Sequence, residues 1–112
     1  MIPVGCTENY GRHTISGFDS FLVSQIVEGV RRYTQKKKVP INLALNPLNN
    51  GAHPYHHVGL PGTVIVPEAT VREMIIAVMS GLWNDGFRKQ IIINNHGQLW
   101  VLESTLQEFM KR

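Results

Sequence analysis

Two carboxylates and an imidazole, on Glu8, Asp19 and His96, are the side chains of this sequence whose chemistry best suits a metal site. Together they offer the oxygen and nitrogen atoms that hold Zn, Mn or Fe(II) while positions stay open for water and a substrate. Other interpretations stand beside this one: Asp19 as a helix cap, Glu8 as a solvated loop acid and His96 as a turn residue. The metal hypothesis depends on whether the fold brings the three together.

Apolar patterns predict three strands and three helices in alternation. Strands are predicted at residues 2–4, 41–45 and 90–94, the last containing three consecutive isoleucines. Helices are predicted at residues 19–37, 67–86 and 99–110. The first has Asp19 or Ser20 as its cap. Its predicted apolar stripe consists of Leu22, Ile26, Val30 and Tyr33.

This alternation predicts an α/β fold in three layers, αβα, around a mostly parallel sheet with right-handed crossovers. In such sheets, ligands bind beyond the carboxyl ends of the strands. The segments that leave those ends, residues 6–18, 46–62 and 94–98, carry Glu8 and all five histidines. Because Asp19 begins the helix after the first segment, the topology predicts that Glu8, Asp19 and His96 meet at one sheet edge.

Composition excludes several classes of protein. The chain has 112 residues, a net charge of +3 and one cysteine, which predicts a single domain over residues 1–112 with no internal disulfide. We expect a cytoplasmic protein, because a lone reduced thiol suits an intracellular compartment. No apolar run reaches the roughly 18 residues that a membrane span needs. The small charge does not indicate a nucleic-acid partner, and nucleotide-binding glycine motifs are absent.

Two further groups of side chains leave alternatives open. The run His53-Pro54-Tyr55-His56-His57 could ligate a metal, contact a substrate or lie in a surface loop. Cys6 carries no sequence feature of an activated nucleophile, so a small buried side chain is the better interpretation.

Three motifs, in order along the chain, resemble the creatininase (creatinine amidohydrolase) family of metal-dependent hydrolases. Residues 5–13, GCTENYGRH, followed by Asp19, are similar to the family opening G-S-x-E-Q-H-G-P-H…D. Residues 59–63, GLPGT, resemble G-F-P-G-T, and residues 85–97, DGFRKQIIINNHG, resemble H-G-F-R-x-I-x-x-x-N-G-H-G. The resemblance covers the whole chain but only the N-terminal half of a family member. It implies one creatininase-like domain that continues elsewhere.

The resemblance implies metal ligation by Glu8, Asp19 and His96. It further implies hydrolysis of a small cyclic amide with Zn or Mn, and assembly as a homo-oligomer, commonly a hexamer. Metal-activated water would attack the carbonyl of the substrate. Metal affinity should fall on acidification, because the ligands bind in their deprotonated forms.

The chain departs from the family pattern at two positions whose side chains bind a second metal ion in other members. Tyr10 stands where many members have a metal-binding histidine, and Gln98 stands where some supply a carboxylate. We therefore expect a site for one ion, with Tyr10, Asn94 and Gln98 turned toward the substrate. His57 is a candidate general acid or base.

Two alternative functions remain at this point. One is the opening of a cyclic polyol ketone such as 3-dehydro-scyllo-inosose, an activity known among creatininase-like hydrolases. The other is of a different class: a non-catalytic subunit or fragment that needs a partner chain. Both are compatible with the same metal ligands.

Overall fold

The described part of the chain forms three helices and a short parallel sheet. A computed structural model describes residues 1–53 and 57–112. Its elements are, in order, β1 (Ile2–Val4), α1 (Phe18–Thr34), α2 (Glu68–Asn84), β2 (Ile92–Asn94) and α3 (Leu99–Phe109). The predicted α/β class is confirmed, and each predicted helix is present, with bounds that differ by at most three residues.

The sheet pairs β1 with β2 in parallel, so that Ile2 lies opposite Ile92 and Val4 opposite Asn94. The carboxyl ends of both strands therefore lie at the same edge of the sheet. Loops that leave this edge carry the residues predicted to form the site.

The predicted strand at residues 41–45 is wrong. This segment lies along the other side of β1, where the Leu45 and Leu48 amides donate to the carbonyls of Met1 and Pro3 at 3.1 and 3.0 Å. Only one bridge, from Leu48 to Val4, is regular. A parallel ladder bonds every second residue, whereas these donors are three residues apart and the intervening Pro47 has no N–H, so no regular strand forms.

The predicted helix α1 is correct, and its buried face differs from the apolar stripe that located it. Val23 and Val27 are buried against the sheet side of the helix, whereas Ile26 is 46% exposed and Tyr33 71% exposed. Both faces of α1 carry apolar residues at helical spacing, so periodicity alone did not identify the buried one. α1 contacts both strands.

Helices α2 and α3 pack against each other and build the core with β1. The core cluster consists of Ile2, Val4, Ala52, Val71, Ile75, Met79, Val101 and Leu102. No residue of α1 belongs to this cluster among the residues described. Because successive side chains of a strand point to opposite faces, Ile2 and Val4 both face α2 and α3.

None of the helices formed by residues 1–53 and 57–112 combines the length and the apolar character needed to cross a bilayer.

Candidate metal centre

The candidate site forms where three chain segments leave the carboxyl edge of the sheet. Glu8 follows β1, Asp19 lies in the first turn of α1, and His96 follows β2. Gly5 makes this approach possible, because a Cβ atom there would lie 2.7 Å from the Ser20 backbone nitrogen. The start of α1 can therefore lie directly against the end of β1.

Asp19 is not a helix cap. Gly17 occupies the cap position, and no side chain caps the helix. Asp19 is instead buried, with its Oδ2 atom 3.1 Å from the Cys6 sulfur and 3.2 Å from Nδ1 of His96. Its own carbonyl accepts a hydrogen bond from the Asn95 side chain at 3.1 Å. The buried carboxylate therefore faces the site.

The imidazole of His96 lies between the two carboxylates. Its Nδ1 atom is 3.2 Å from Oδ2 of Asp19 and 3.4 Å from Oε1 of Glu8. On the other side of the ring, Nε2 is 2.9 Å from the carbonyl oxygen of Ala52. That carbonyl can only accept, so Nε2 carries the proton and, in the neutral ring, the Nδ1 lone pair faces the carboxylates.

The three predicted ligands thus lie together, and their facing atoms are acceptors. Two carboxylate oxygens and an unprotonated ring nitrogen repel one another in a buried site unless a cation or a proton lies between them. Glu8 is only 14% exposed at its side chain, and His96 only 5%. The donor set therefore fits a divalent ion with oxygen and nitrogen ligands.

Two more histidines border Glu8. Its Oε2 atom is 3.4 Å from Nδ1 of His53 and 3.7 Å from Nδ1 of His57. His53 has no exposed side-chain surface, and its Nε2 atom has no hydrogen-bond partner in the described part of the chain. Burial lowers the pKa of His53, the proximity of His96 lowers it further, and both favour the neutral ring. His56, from the same run, lies outside the described residues.

Cys6 is buried, as predicted, but it also contacts the site. Its thiol donates to Asp19 and lies 3.2 Å from Nδ1 of His96. Burial, together with Asp19 and Glu8, raises the pKa of the thiol well above its usual range, so the sulfur stays protonated in the ion-free site.

Ligand atoms of Cys6, Glu8, His53 and His96 all lie within 4.8 Å of one another. Sequence reasoning did not assign Cys6 and left His53 as one of several alternatives. The position of Cys6 two residues before Glu8 could have indicated that it lies near the site. The burial of His53 is set by tertiary packing, which no local pattern records.

Tyr10 lies beside the carboxylates. Burial, followed by hydrogen bonds to Asp19 and Glu8, raises the pKa of the Tyr10 phenol above its usual range. The hydroxyl therefore remains a donor to these acids. Its ring packs edge-on against Phe18, with the centroids 5.6 Å apart.

Gln98 and Asn94 support the loops at this edge. Gln98 is fully buried; its Oε1 accepts from the Ala52 amide at 3.0 Å, and its Nε2 donates to the carbonyl of Gly5 at 3.4 Å. Asn94 donates to the His96 carbonyl at 2.5 Å. The contacts described for Gln98 connect the loop at Ala52 to the end of β1 at Gly5. Contact of Asn94 or Gln98 with the substrate stays a prediction.

Comparison with known proteins supports the resemblance. The sequence model of the creatininase family, described as creatinine amidohydrolase, matches residues 1–112. A relative from Thermotoga maritima, named 3-dehydro-scyllo-inosose hydrolase, is 42% identical over 111 residues. The match covers 99% of this chain and 34% of the relative, so the chain spans about a third of that protein's length.

Proposed function

We proceed from the premise that the chain belongs to the creatininase family, and we propose that it supplies the metal-binding part of a hydrolase acting on a carbonyl of a small cyclic substrate. The observation that carries the proposal is the position of His96 Nδ1, within 3.4 Å of carboxylate oxygens from both Glu8 and Asp19. The complete domain would be the three-layer αβα fold expected from the sequence.

A divalent ion held by these residues would lower the pKa of a water molecule toward 7 and polarise the carbonyl under attack. Glu8, Asp19 and His96 are the proposed ligands. The Ala52 carbonyl holds His96 in the tautomer that presents Nδ1 to the proposed ion. The native ion is proposed to be Zn or Mn, with Fe(II) compatible with the same donors.

The remaining polar groups would orient the substrate and move protons. The Tyr10 phenol, whose pKa is raised by burial and by the neighbouring Asp19 and Glu8, would keep its one proton available for the acids or the substrate. His57 lies at the more open side of Glu8, with a quarter of its side chain exposed. We propose it as the group that exchanges a proton with the substrate, in its neutral form as base and its charged form as acid.

The name of the Thermotoga maritima relative bears on the class of substrate that we propose. Its printed name, 3-dehydro-scyllo-inosose hydrolase, supports a cyclic polyol ketone, whereas the family description supports a cyclic amide. Both contain a carbonyl within a ring, so the same ligands would serve either. We favour the polyol ketone, because the relative is 42% identical across nearly the whole chain.

A substrate panel tests this proposal. The chain is stripped of metal, reloaded with Zn or Mn, and assayed with a cyclic polyol diketone and with creatinine-type cyclic amides. We expect metal-dependent ring opening, lost in Glu8→Gln and retained in Glu103→Gln, an exposed position on α3. Turnover that is equal with and without the ion would contradict the proposal.

The alternative of a non-catalytic part is favoured by one observation, the limited coverage of the relative. A chain of this kind would bind the ion but turn over substrate only together with a partner chain. The intact mass and the metal content of the active sample distinguish a catalytic chain from a non-catalytic one. Turnover by a sample that contains the 112-residue chain alone excludes the non-catalytic alternative.

A further inference from the structure

We propose that the sulfur of Cys6 is a further ligand of the proposed ion and makes the site select Zn over Mn. The inference rests on the proposed function, because it concerns the ion held by Glu8, Asp19 and His96. It deepens that function by naming the metal. It also gives a role to a buried side chain that the proposed reaction does not use and that departs from the serine of the family opening.

The Cys6 sulfur lies at one corner of a triangle of potential ligand atoms. Sγ is 3.1 Å from Oδ2 of Asp19 and 3.2 Å from Nδ1 of His96, and those two atoms are 3.2 Å apart. With bonds of about 2.0 Å to oxygen and nitrogen and about 2.3 Å to sulfur, neighbouring ligands of tetrahedral Zn are about 3.3–3.5 Å apart. The triangle therefore has the dimensions of one face of a Zn site, to within a few tenths of an ångström.

The single thiol proton cannot satisfy both of the groups that face it. It can be donated to Asp19 or to His96, whose Nδ1 atom carries a lone pair because Nε2 is protonated toward Ala52. The side chain of Asp19 is only 10% exposed and that of His96 only 5%. One buried acceptor is thus left facing other electron pairs, which is unfavourable, whereas an ion bound to all three atoms satisfies them together.

The sulfur also lies close to the third proposed ligand. Ligand atoms of Cys6, Glu8 and His96 lie within 4.8 Å of one another, and Oε1 of Glu8 is 3.4 Å from Nδ1 of His96. Glu8 can therefore take a fourth corner around the same ion. Water then becomes a fifth ligand, a coordination number that catalytic Zn sites can reach.

Ligation replaces the S–H bond of Cys6 with a bond from sulfur to the ion. The proton leaves to solvent and no electron is transferred. Burial raises the pKa of the thiol in the ion-free site, but a bound divalent ion stabilises the thiolate directly. A thiolate is a soft ligand that favours Zn, whereas carboxylates alone suit Mn. Cys6 therefore narrows the choice of ion that the other ligands leave open.

The absorption spectrum of bound Co(II), an ion that commonly replaces Zn, tests ligation by sulfur directly. The full chain is freed of metal under reducing conditions and titrated with Co(II). We expect a strong charge-transfer band in the near ultraviolet, from thiolate to the ion, that grows until the site is saturated. Because Cys6 is the only cysteine in the sequence, this band can come from no other residue.

Two substitutions distinguish a ligand from a hydrogen-bond donor. Cys6→Ser keeps a donor to Asp19 but loses the sulfur, and Cys6→Ala loses both. We expect both variants to lack the charge-transfer band and to prefer Zn over Mn at least about 10-fold less than the wild type, the lower range for loss of a supporting group. Thr7→Ser, which keeps the hydroxyl that donates to the Asn49 carbonyl, should retain both the band and the preference.

The possible outcomes separate this inference from the proposed function. Co(II) bound to the wild type without the charge-transfer band overturns the inference. Wild-type preference for Zn in Cys6→Ser also overturns it, and would assign Cys6 a positioning role through Asp19. Either result leaves the other three proposed ligands in place.

A wild type that binds no divalent ion removes the basis of the proposed function together with the inference. Unchanged ion binding in Asp19→Asn has the same consequence. The wild-type spectrum carries the test if circular dichroism shows that neither Cys6 variant folds.

Discussion

Asp19 combines a favourable helix position with an unfavourable charge environment. A carboxylate in the first turn interacts favourably with the helix dipole, which stabilises α1. The same carboxylate is buried within reach of His96 and close to the second acid, Glu8. In the absence of a cation, this proximity of two acids opposes folding.

Replacing Asp19 with asparagine should therefore separate metal binding from stability. We expect Asp19→Asn to lower Zn affinity by at least about 10-fold, because an amide is a weaker ligand than a carboxylate. The metal-free variant should unfold at the same temperature as the wild type or at a higher one, because one buried charge is removed. Zn titration and thermal denaturation measure the two effects. Asp85→Asn, at the exposed end of α2, should alter neither.

The Gln98 amide should be important for stability. Its replacement by alanine leaves the Ala52 amide and the Gly5 carbonyl without their described partner and opens a cavity. We expect Gln98→Ala to lower the free energy of unfolding by about 2–4 kcal/mol, as measured by urea denaturation. Gln107→Ala, exposed on α3, should change it by less than about 0.5 kcal/mol. Equal stability of the two variants would show that the amide contacts contribute nothing.

At the scale of elements, the contact between β1 and α1 positions the acids. An alanine Cβ at Gly5 would lie 2.6–2.8 Å from three atoms of Ser20, two of them backbone. The backbone cannot yield without moving the first turn of α1, which carries Asp19. The close approach between the end of β1 and the start of α1 therefore depends on the absence of a side chain at Gly5.

Two glycine substitutions test this connection. Gly5→Ala should lower both the melting temperature and Zn affinity, because α1 must shift away from β1. Gly29→Ala lies within α1 with open space around its Cβ position, and should raise stability by up to about 1 kcal/mol. Calorimetry and Zn titration of both variants provide the comparison. A Gly5→Ala variant with wild-type Zn affinity would contradict the role assigned to this contact.

Sequence patterns predicted the positions of the helices and strands better than the contacts between them. Pro67 and the apolar stripe after it located α2, and the three isoleucines located β2. The apolar stripe that located α1 is not its buried face. Ile26 and Val27 both belong to sets with helical spacing, and only packing against the sheet decides which set is buried. The irregular pairing of residues 43–48 depends on β1, a partner distant in sequence.

The site was predictable to the extent that topology determines it. Parallel strands bring their carboxyl ends to one edge, which indicated in advance that Glu8 and His96 would be neighbours. Topology could not reveal that Cys6 contacts Asp19 or that His53 is buried at Glu8. The contact between Cys6 and Asp19 depends on how closely α1 approaches the end of β1. The burial of His53 depends on the long loop that precedes α2, whose sequence has no periodic pattern from which to infer its path.

At the scale of the whole molecule, one apolar surface of α1 has no partner in the described structure. Tyr33 is 71% exposed, Ile26 46% and Val30 39%, and the helical spacing of these three residues puts them on one side of α1. β2 pairs only with β1 among the described residues, so its outer edge is also open. Apolar surface and an unpaired strand edge both favour association with further protein.

We expect the 112-residue chain to associate in solution. Light scattering after size-exclusion chromatography should give a mass above that of a monomer, and added salt should not reverse it, because apolar contacts are not screened. Ile26→Ser combined with Tyr33→Ser should shift the population toward monomer. Gln25→Ser, at an exposed polar position of the same helix, should not. A monomeric wild type at micromolar concentration would contradict this expectation.

The hydrogen bond between His96 and Ala52 links the candidate centre to the long loop that leads to α2. If this bond breaks, the imidazole loses the acceptor that orients it. An ion bound to His96 should therefore slow deuterium uptake at the Ala52 amide, which donates to Gln98 and not to a proposed metal ligand. The bound ion and the backbone at Ala52 would then stabilise each other through a single hydrogen bond.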